Sequence, residues 1–164
     1  MCCVKAKEEK YAWCSGDIVC YKILTKNFTS VRNHKTKWKV GKTNSIKRKK
    51  PDYCYDPFYD GYTVEGGGYH SFKTIKDVVQ YTKSIIKKFD EFKGKTVEET
   101  AQILSNNRLL IKCVIPKNSK FVWTGVQDLI TREDTDFFQI NCYVSEKLKP
   151  IEVLEWSSVT DLPD

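Results

Sequence analysis

Three consecutive glycines, Gly66-Gly67-Gly68, stand directly before Tyr69-His70-Ser71-Phe72 and a helix-forming segment that opens at Thr74. This junction constrains the fold more than any other stretch. Glycine clusters cost backbone entropy and are kept where φ must be positive or where something must approach the main chain closely. Downstream, Thr74-Ile75-Lys76-Asp77 has the form of a capping box, with Asp in place of the usual Glu. Val78, Tyr81, Ile85, Phe89 and Phe92 then follow at three- and four-residue spacing as far as Gly94. The pattern predicts a glycine-led strand running straight into a long helix. The aromatic, imidazole and hydroxyl groups on that strand can stack and hydrogen-bond, which is the profile of a ligand contact.

On either side the apolar residues come in runs of strand length. Ile18-Val19-Cys20-Tyr21-Lys22-Ile23-Leu24, bounded by Ser15-Gly16-Asp17 and Thr25-Lys26-Asn27, reads as a buried strand. Trp38-Lys39-Val40-Gly41-Lys42 alternates apolar and basic residues and reads as an edge strand with Lys39 outward. From Pro51 to Gly61 the Pro, Asp and Tyr content predicts a long ordered loop, with Tyr53, Tyr55, Phe58 and Tyr59 packing on the core or on a ligand. Thr96-Val97-Glu98-Glu99 caps a second, short helix ending near Asn106-Asn107, and Leu109 to Ile115 is a central strand stopped by Pro116. Lys120 to Gly125, Phe137 to Val144 and Leu148 to Trp156 are further strands, with Pro150 at an edge or bulge, whereas Gln127 to Asp136 reads as a polar loop.

These elements predict an α+β fold, mainly antiparallel twisted sheets with one long and one short helix in the middle of the chain. At 164 residues and 40% apolar content the chain suits one domain across 1–164. Its ordered core is expected at about 12–156, with 1–10 and 157–164 as tails. No apolar run approaches the roughly 18 residues that cross a bilayer, and the N-terminus lacks the apolar centre of a signal peptide. Seven cysteines, Cys2, Cys3, Cys14, Cys20, Cys54, Cys113 and Cys142, form an odd set without a disulfide framework. A cytoplasmic protein without membrane contact is the expectation.

The net charge of +7 is concentrated. Between Val31 and Lys50 stand Arg32, Lys35, Lys37, Lys39, Lys42, Lys47, Arg48, Lys49 and Lys50, with His34 and no acid. The run is either a solvated face or a phosphate-binding surface, and the tyrosines behind it could supply base stacking to a nucleic acid. No Cys-x-x-Cys pair exists and neither His34 nor His70 stands at ligand spacing, so no metal is expected. His70 and Ser71 are neighbours, and neighbours on a strand point to opposite faces, so they cannot form a nucleophile–base pair. A Gly-x-Ser-x-Gly elbow is lacking, and the triple glycine lacks the Gly-Lys-Ser/Thr ending of a phosphate loop.

The order of elements resembles small ADP-ribosyltransferase-fold proteins of the rifampicin-modifying type. The resemblance runs through Cys20-Tyr21-Lys22 on a first strand, Trp38 to Gly41, the strand-to-helix passage from Tyr69, Lys112 to Pro116, and the closing pair from Tyr143 to Val153. The chain also looks like uncharacterised small proteins of bacterial viruses, which share a Tyr-Lys strand, a Gly-x-His-Ser-Phe stretch and a Ser-Glu-Lys-Leu close. Residues 18 to 156 are covered.

The resemblance implies a cleft for NAD or a related nucleotide. Tyr21 and Tyr69 would stack on a base and His70 and Ser71 would hydrogen-bond ribose or phosphate. Lys22, with Lys47 or Arg48, would neutralise charge, and Phe72 and Ser145 would complete the lining. Active enzymes of this type carry a histidine or arginine on the first strand where Lys22 follows Tyr21 here. Lysine offers only a point charge. The expectation is therefore a degenerate, non-catalytic cleft that binds or sequesters a nucleotide-type ligand, in a virus-encoded host-interaction or anti-defence factor. One alternative is an active NAD-dependent ADP-ribosyltransferase with Glu146 steadying an oxocarbenium-like centre. Another is a nucleic-acid-binding or virion-associated protein using the 32–50 segment, Lys47, Arg48, Lys49 and Lys50 included.

Overall fold

Threonine and aspartate at the two ends of one helical turn satisfy each other's backbone amides, and Thr74 and Asp77 start helix α1 (Ile75–Lys88) in this way. The computed structural model describes residues 3–5, 12–31, 34–46, 52–56, 61–65, 68–129 and 137–161. Thr74 Oγ1 accepts from Asp77 N at 3.3 Å, and Asp77 Oδ2 accepts from Thr74 N at 2.9 Å. The other oxygen, Oδ1, accepts from Asn141 N at 2.8 Å and from Asn141 Nδ2 at 3.2 Å. Aspartate thus caps the helix and pins it to a strand with one buried carboxylate.

The helical period was expected to reach Gly94, but α1 stops at Lys88, leaves Phe89 half-exposed and passes through a 3-10 turn, Asp90–Phe92, that buries Phe92. Gly94, at φ +78°, closes that turn. Helix α2 (Val97–Ser105) begins at Thr96, whose hydroxyl accepts from Glu99 N at 3.1 Å and also lies 3.2 Å from the Glu99 carboxylate. Helix α3 (Ser157–Thr160) lies in the stretch expected to be a tail. Trp156 and Val159, three residues apart, put both apolar side chains on one side, bury them, and pack α3 on α1 and α2.

The strands are β1 (Cys3–Lys5), β2 (Ala12–Trp13), β3 (Ile18–Thr25), β4 (Asn44–Ser45), β5 (Asp52–Asp56), β6 (Gly61–Glu65), β7 (Tyr69–Phe72), β8 (Arg108–Ile115), β9 (Lys120–Leu129), β10 (Phe137–Ser145) and β11 (Lys147–Leu154). Every ladder between them is antiparallel. An eight-stranded sheet has the order β2-β9-β10-β7-β3-β8-β11-β4, and a three-stranded sheet the order β1-β6-β5. The fold is α+β.

Several expectations change. The 51–61 stretch contributes β5 and the start of β6 rather than a long loop, because Tyr53 and Tyr55 alternate with short polar residues at the strand period. Residues 3–5, expected within a tail, pair with β6. β9 continues to Leu129 through what was read as loop. Trp38 to Lys42 is a turn and not an edge strand: Lys39 is exposed as expected, but Gly41 takes φ +86° and the chain reverses there. Pro150 lies at a shift of register between β11 and β8, as expected of a proline at a bulge.

Only Glu146 separates β10 from β11, yet β7, β3 and β8 lie between them in the sheet. Four steps of about 4.8 Å would span roughly 19 Å in a flat sheet, whereas two peptide steps reach at most about 7.6 Å. The sheet must therefore curl until the end of β10 meets the start of β11. Glu146 fastens that corner. Its N–H donates to Lys120 O at 3.1 Å, its carboxylate accepts from Lys120 N at 3.0 Å, and its carbonyl accepts from Ile46 N at 2.9 Å.

Alternation along the strands divides the sheet into two apolar faces. On one, Phe72, Leu110, Val122, Ile140, Cys142 and Val144 pack under the helices against Val78, Ala101 and Val159. On the other, Cys20, Leu24, Ile111, Cys113, Ile115 and Leu148 from β3, β8 and β11 meet Tyr69, Phe121 and Tyr143 from β7, β9 and β10 directly. We take this second face, opposite the helices, as the inside of the curl and call it the concave face. Cys14, Phe28 and Trp38 cover it from adjoining loops.

Candidate functional site

The glycine before β7 has a measurable reason. A Cβ at Gly68 would lie 2.5 Å from Ser145 O, closer than any side chain tolerates, so only glycine lets β7 enter beside the end of β10. Gly66 and Gly67 lie outside the described residues. Strand alternation then sends Tyr69 and Ser71 to the concave face and His70 and Phe72 to the helix side. The same rule places Lys22 on the concave face between Cys20 and Leu24, while Tyr21 pairs with Phe72 on the helix side.

The expected site residues therefore divide. Lys22, Tyr69, Ser71 and Ser145 come together on the concave face. Tyr21, His70 and Phe72 do not join them: Phe72 is core, its ring 5.3 Å from Tyr81, and half-buried Tyr21 packs beside it. His70 contributes its carbonyl instead, which accepts from Lys22 Nζ at 2.6 Å. Glu146 is spent on the corner described above. Lys47, Arg48, Lys49 and Lys50 lie outside the described residues, as do Phe58 and Tyr59.

Two further residues complete the cluster. Trp38 is buried, its indole Nε1 donating to Ser30 Oγ at 2.8 Å and its backbone N–H to Phe28 O at 2.8 Å. Its ring meets Tyr69 edge-on at 4.9 Å and has Lys22 Nζ 5.5 Å from its centroid. Tyr143 pairs with Ser71 in register and sets its ring 5.9 Å from Phe121, edge to face. Tyr143 could have been found in the sequence, since it stands two residues before Ser145 on the same strand face. Trp38 could not, because its position inside a lysine-rich run reads as an edge.

The electrostatics of this cluster are unusual for a core. Lys22 has no carboxylate within ion-pair distance among the described residues; its hydrogen bond is to a carbonyl. Burial lowers its pKa below the ordinary lysine value, with the sulfurs of Cys113, Cys20 and Cys142 pulling the other way. Burial pushes the Cys20 thiol up to about 11, against the smaller influence of Ser71 and Lys22, and raises Cys113 as well. Both are therefore thiols rather than thiolate nucleophiles at neutral pH. Burial also raises the phenols of Tyr69 and Tyr143. The hydroxyls of Ser71 and Ser145 are buried, 1% and 0% exposed, and make no hydrogen bond in good geometry. Ser71 has only the weak acceptor sulfur of Cys20 beside it.

The cluster thus brings one amino group, two buried hydroxyls and the rings of Tyr69, Tyr143 and Trp38 to one face of the sheet. Ser71 and His70 leave β7 on opposite sides, so these two do not form a nucleophile held by a base. Among the described residues no group of three His, Cys, Asp or Glu side chains is placed to hold a metal ion, and no helix is long and apolar enough to cross a membrane. A shallow depression of about 320 Å³, lined by Trp13, Cys14, Asp17, Ile18 and Phe121 among others, adjoins the cluster through Phe121. No protein-family model, curated protein or solved structure matches this chain.

Proposed function

We propose that this protein binds a nucleotide-type small molecule on the concave face of its curled sheet, in a degenerate ADP-ribosyltransferase-like cleft that no longer catalyses transfer. The observation that carries the reading is the Lys22 ammonium, in a desolvated setting with no carboxylate at ion-pair distance among the described residues, on the same face as the poorly satisfied hydroxyls of Ser71 and Ser145 and the rings of Tyr69 and Tyr143. A cation in that position costs several kcal/mol of lost hydration unless an anion accompanies it. A phosphate supplies the anion, a ribose supplies partners for Ser71 and Ser145, and a base offers a face to Tyr69. NAD and its fragments have all three parts. The carboxylate of Glu146 already serves the Lys120 amide, which favours binding over an active transferase. The likeness to small proteins of bacterial viruses extends the proposal to a virus-encoded factor that sequesters a host nucleotide.

Thermal denaturation against NAD, ADP-ribose, AMP and cyclic nucleotides tests it. A ligand present at 100 times its Kd stabilises by about 2.7 kcal/mol, a shift of several degrees. Lys22→Met, which keeps the volume and removes the charge, leaves the protein folded and abolishes the shift. Absence of any shift, or an equal shift in Lys22→Met, defeats the proposal. Release of nicotinamide from NAD would show an active transferase instead.

A further inference from the structure

Residues 34–43 form a loop whose backbone is fixed from several sides. Ser30 N donates to Thr36 O at 3.1 Å, Thr29 bridges to Lys37, and Asn44 Nδ2 donates to Lys37 O at 2.8 Å. Lys42 N donates to Lys39 O at 3.0 Å, and Gly41 N to Pro150 O at 2.8 Å. Trp38 anchors the middle by turning inward, at 4% exposure. With Trp38 inward, Lys37 and Lys39 on either side turn outward, and Lys42 follows the turn; all three are exposed. No ion pair ties any of them to a carboxylate among the described residues, and the sequence holds no acid from Val31 to Lys50.

From this placement we infer that the 34–43 loop is a docking surface for a nucleic-acid backbone, with Lys37, Lys39 and Lys42 each taking a phosphate. Charge complementarity selects the occupant. Lysine heads are point charges suited to phosphate oxygens and carry no base-reading fork, so binding is independent of sequence. A protein partner needs a desolvated aromatic or apolar centre, and a membrane surface needs apolar side chains to insert. Here the one large aromatic of the loop faces the core, and Val40, 42% exposed, stands alone among the lysines. The lysine heads point away from the concave cluster, with Trp38 the residue common to both.

The test is fluorescence anisotropy of labelled mixed-sequence 20-mers, single-stranded and duplex, between 50 and 200 mM KCl. Each phosphate contact contributes about 0.7 to the logarithmic salt slope for a single strand and about 0.9 for a duplex. The triple variant K37Q/K39Q/K42Q is expected to weaken binding at least tenfold at 100 mM KCl and to flatten the slope by roughly 2–3. Each single substitution flattens it by about one third of that. K76Q/K83Q/K93Q, which removes the same charge from exposed positions around α1, stays within about twofold of the parent. The proposal is overturned by no binding at 50 mM KCl, by an equal loss in the α1-side control, or by tighter binding through the loop to polyglutamate or to vesicles of 30% phosphatidylserine.

Discussion

The two faces of the curled sheet solve the same problem differently. On the helix side, polar groups that must be buried are used up: Asp77 takes four hydrogen bonds, two from Thr74 and two from Asn141. Thr82 and Ser84 donate to the carbonyls of Val78 and Tyr81. Thr100 in α2 is the exception, its hydroxyl buried without a partner. On the concave side half-buried Lys22 has no carboxylate at ion-pair distance among the described residues, and Ser71 and Ser145, on the adjacent strands β7 and β10, make no hydrogen bond in good geometry. Hydrogen bonding is complete but for Thr100 on one face and left incomplete at both serines of the other. A face that leaves such groups unsatisfied at 1–3 kcal/mol each retains something for a ligand to gain.

The sharpest way to break this comparison is Asp77→Ala. It removes the carboxylate half of the α1 capping box and strands both the Asn141 amide and its side chain, so the expected loss is about 2–4 kcal/mol of unfolding free energy in urea, from one or two orphaned donors. Asp77→Asn, which can still accept from Thr74 N, recovers part of it. A loss below about 1 kcal/mol would mean that the helix face is not held by this node, and the contrast between the faces would lose its basis.

A second, smaller effect belongs to the concave face alone. Cys20 loses its proton near 9.0 in an unfolded chain and at about 11 in the fold. The folded state therefore holds the extra proton between those values, so this stabilisation is complete below pH 9 and lost as the pH rises through 11. Two units correspond to roughly 2–3 kcal/mol. Lys22, whose pKa is lowered, works in the opposite sense: below its folded value it contributes no slope, and stability rises with pH from there towards 10.5. The measurement is thus the difference between the parent and Cys20→Ala in urea midpoints from pH 8 to 11. The parent should lose more stability across that range, and parallel curves would remove Cys20 from the buried cluster.

How much of this was legible in the sequence depends on the distance over which each residue acts. Thr74, Asp77, Thr96 and the apolar period of α1 as far as Ile85 act within one or two helical turns, and they read correctly. The strand Tyr69–Phe72 and its opposite-facing neighbours read correctly for the same reason, since alternation is local. What failed was set by contacts distant in sequence. Trp38 became a core residue because Ser30, Phe28 and Tyr69 receive it, and nothing in its lysine-rich neighbourhood announces that. Val159 is buried because α1 and α2 happen to leave room beside Trp156. The candidate site was half legible: alternation alone sets Tyr21, His70 and Phe72 opposite Lys22, Tyr69 and Ser71, but which of the two faces the helices cover depends on packing distant in sequence.

The smallest expected effect is the one whose sign separates the two faces. Thr82→Val on the helix side deletes a hydroxyl that donates to Val78 O at 2.9 Å and should cost about 0.5–1 kcal/mol, since a made hydrogen bond is lost. Ser145→Ala on the concave side deletes a hydroxyl with no partner, leaves a carbon of nearly the same volume, and should leave the free protein unchanged or up to about 1 kcal/mol more stable. The same substitution should reduce the nucleotide-dependent rise in Tm, because the group that was idle in the free protein is the one a ribose hydroxyl would engage. Stability gained and ligand response lost in one variant is a combination that a purely structural serine does not produce. If Ser145→Ala instead destabilises the free protein as Thr82→Val does, the hydroxyl already has a partner and the concave face is a second core.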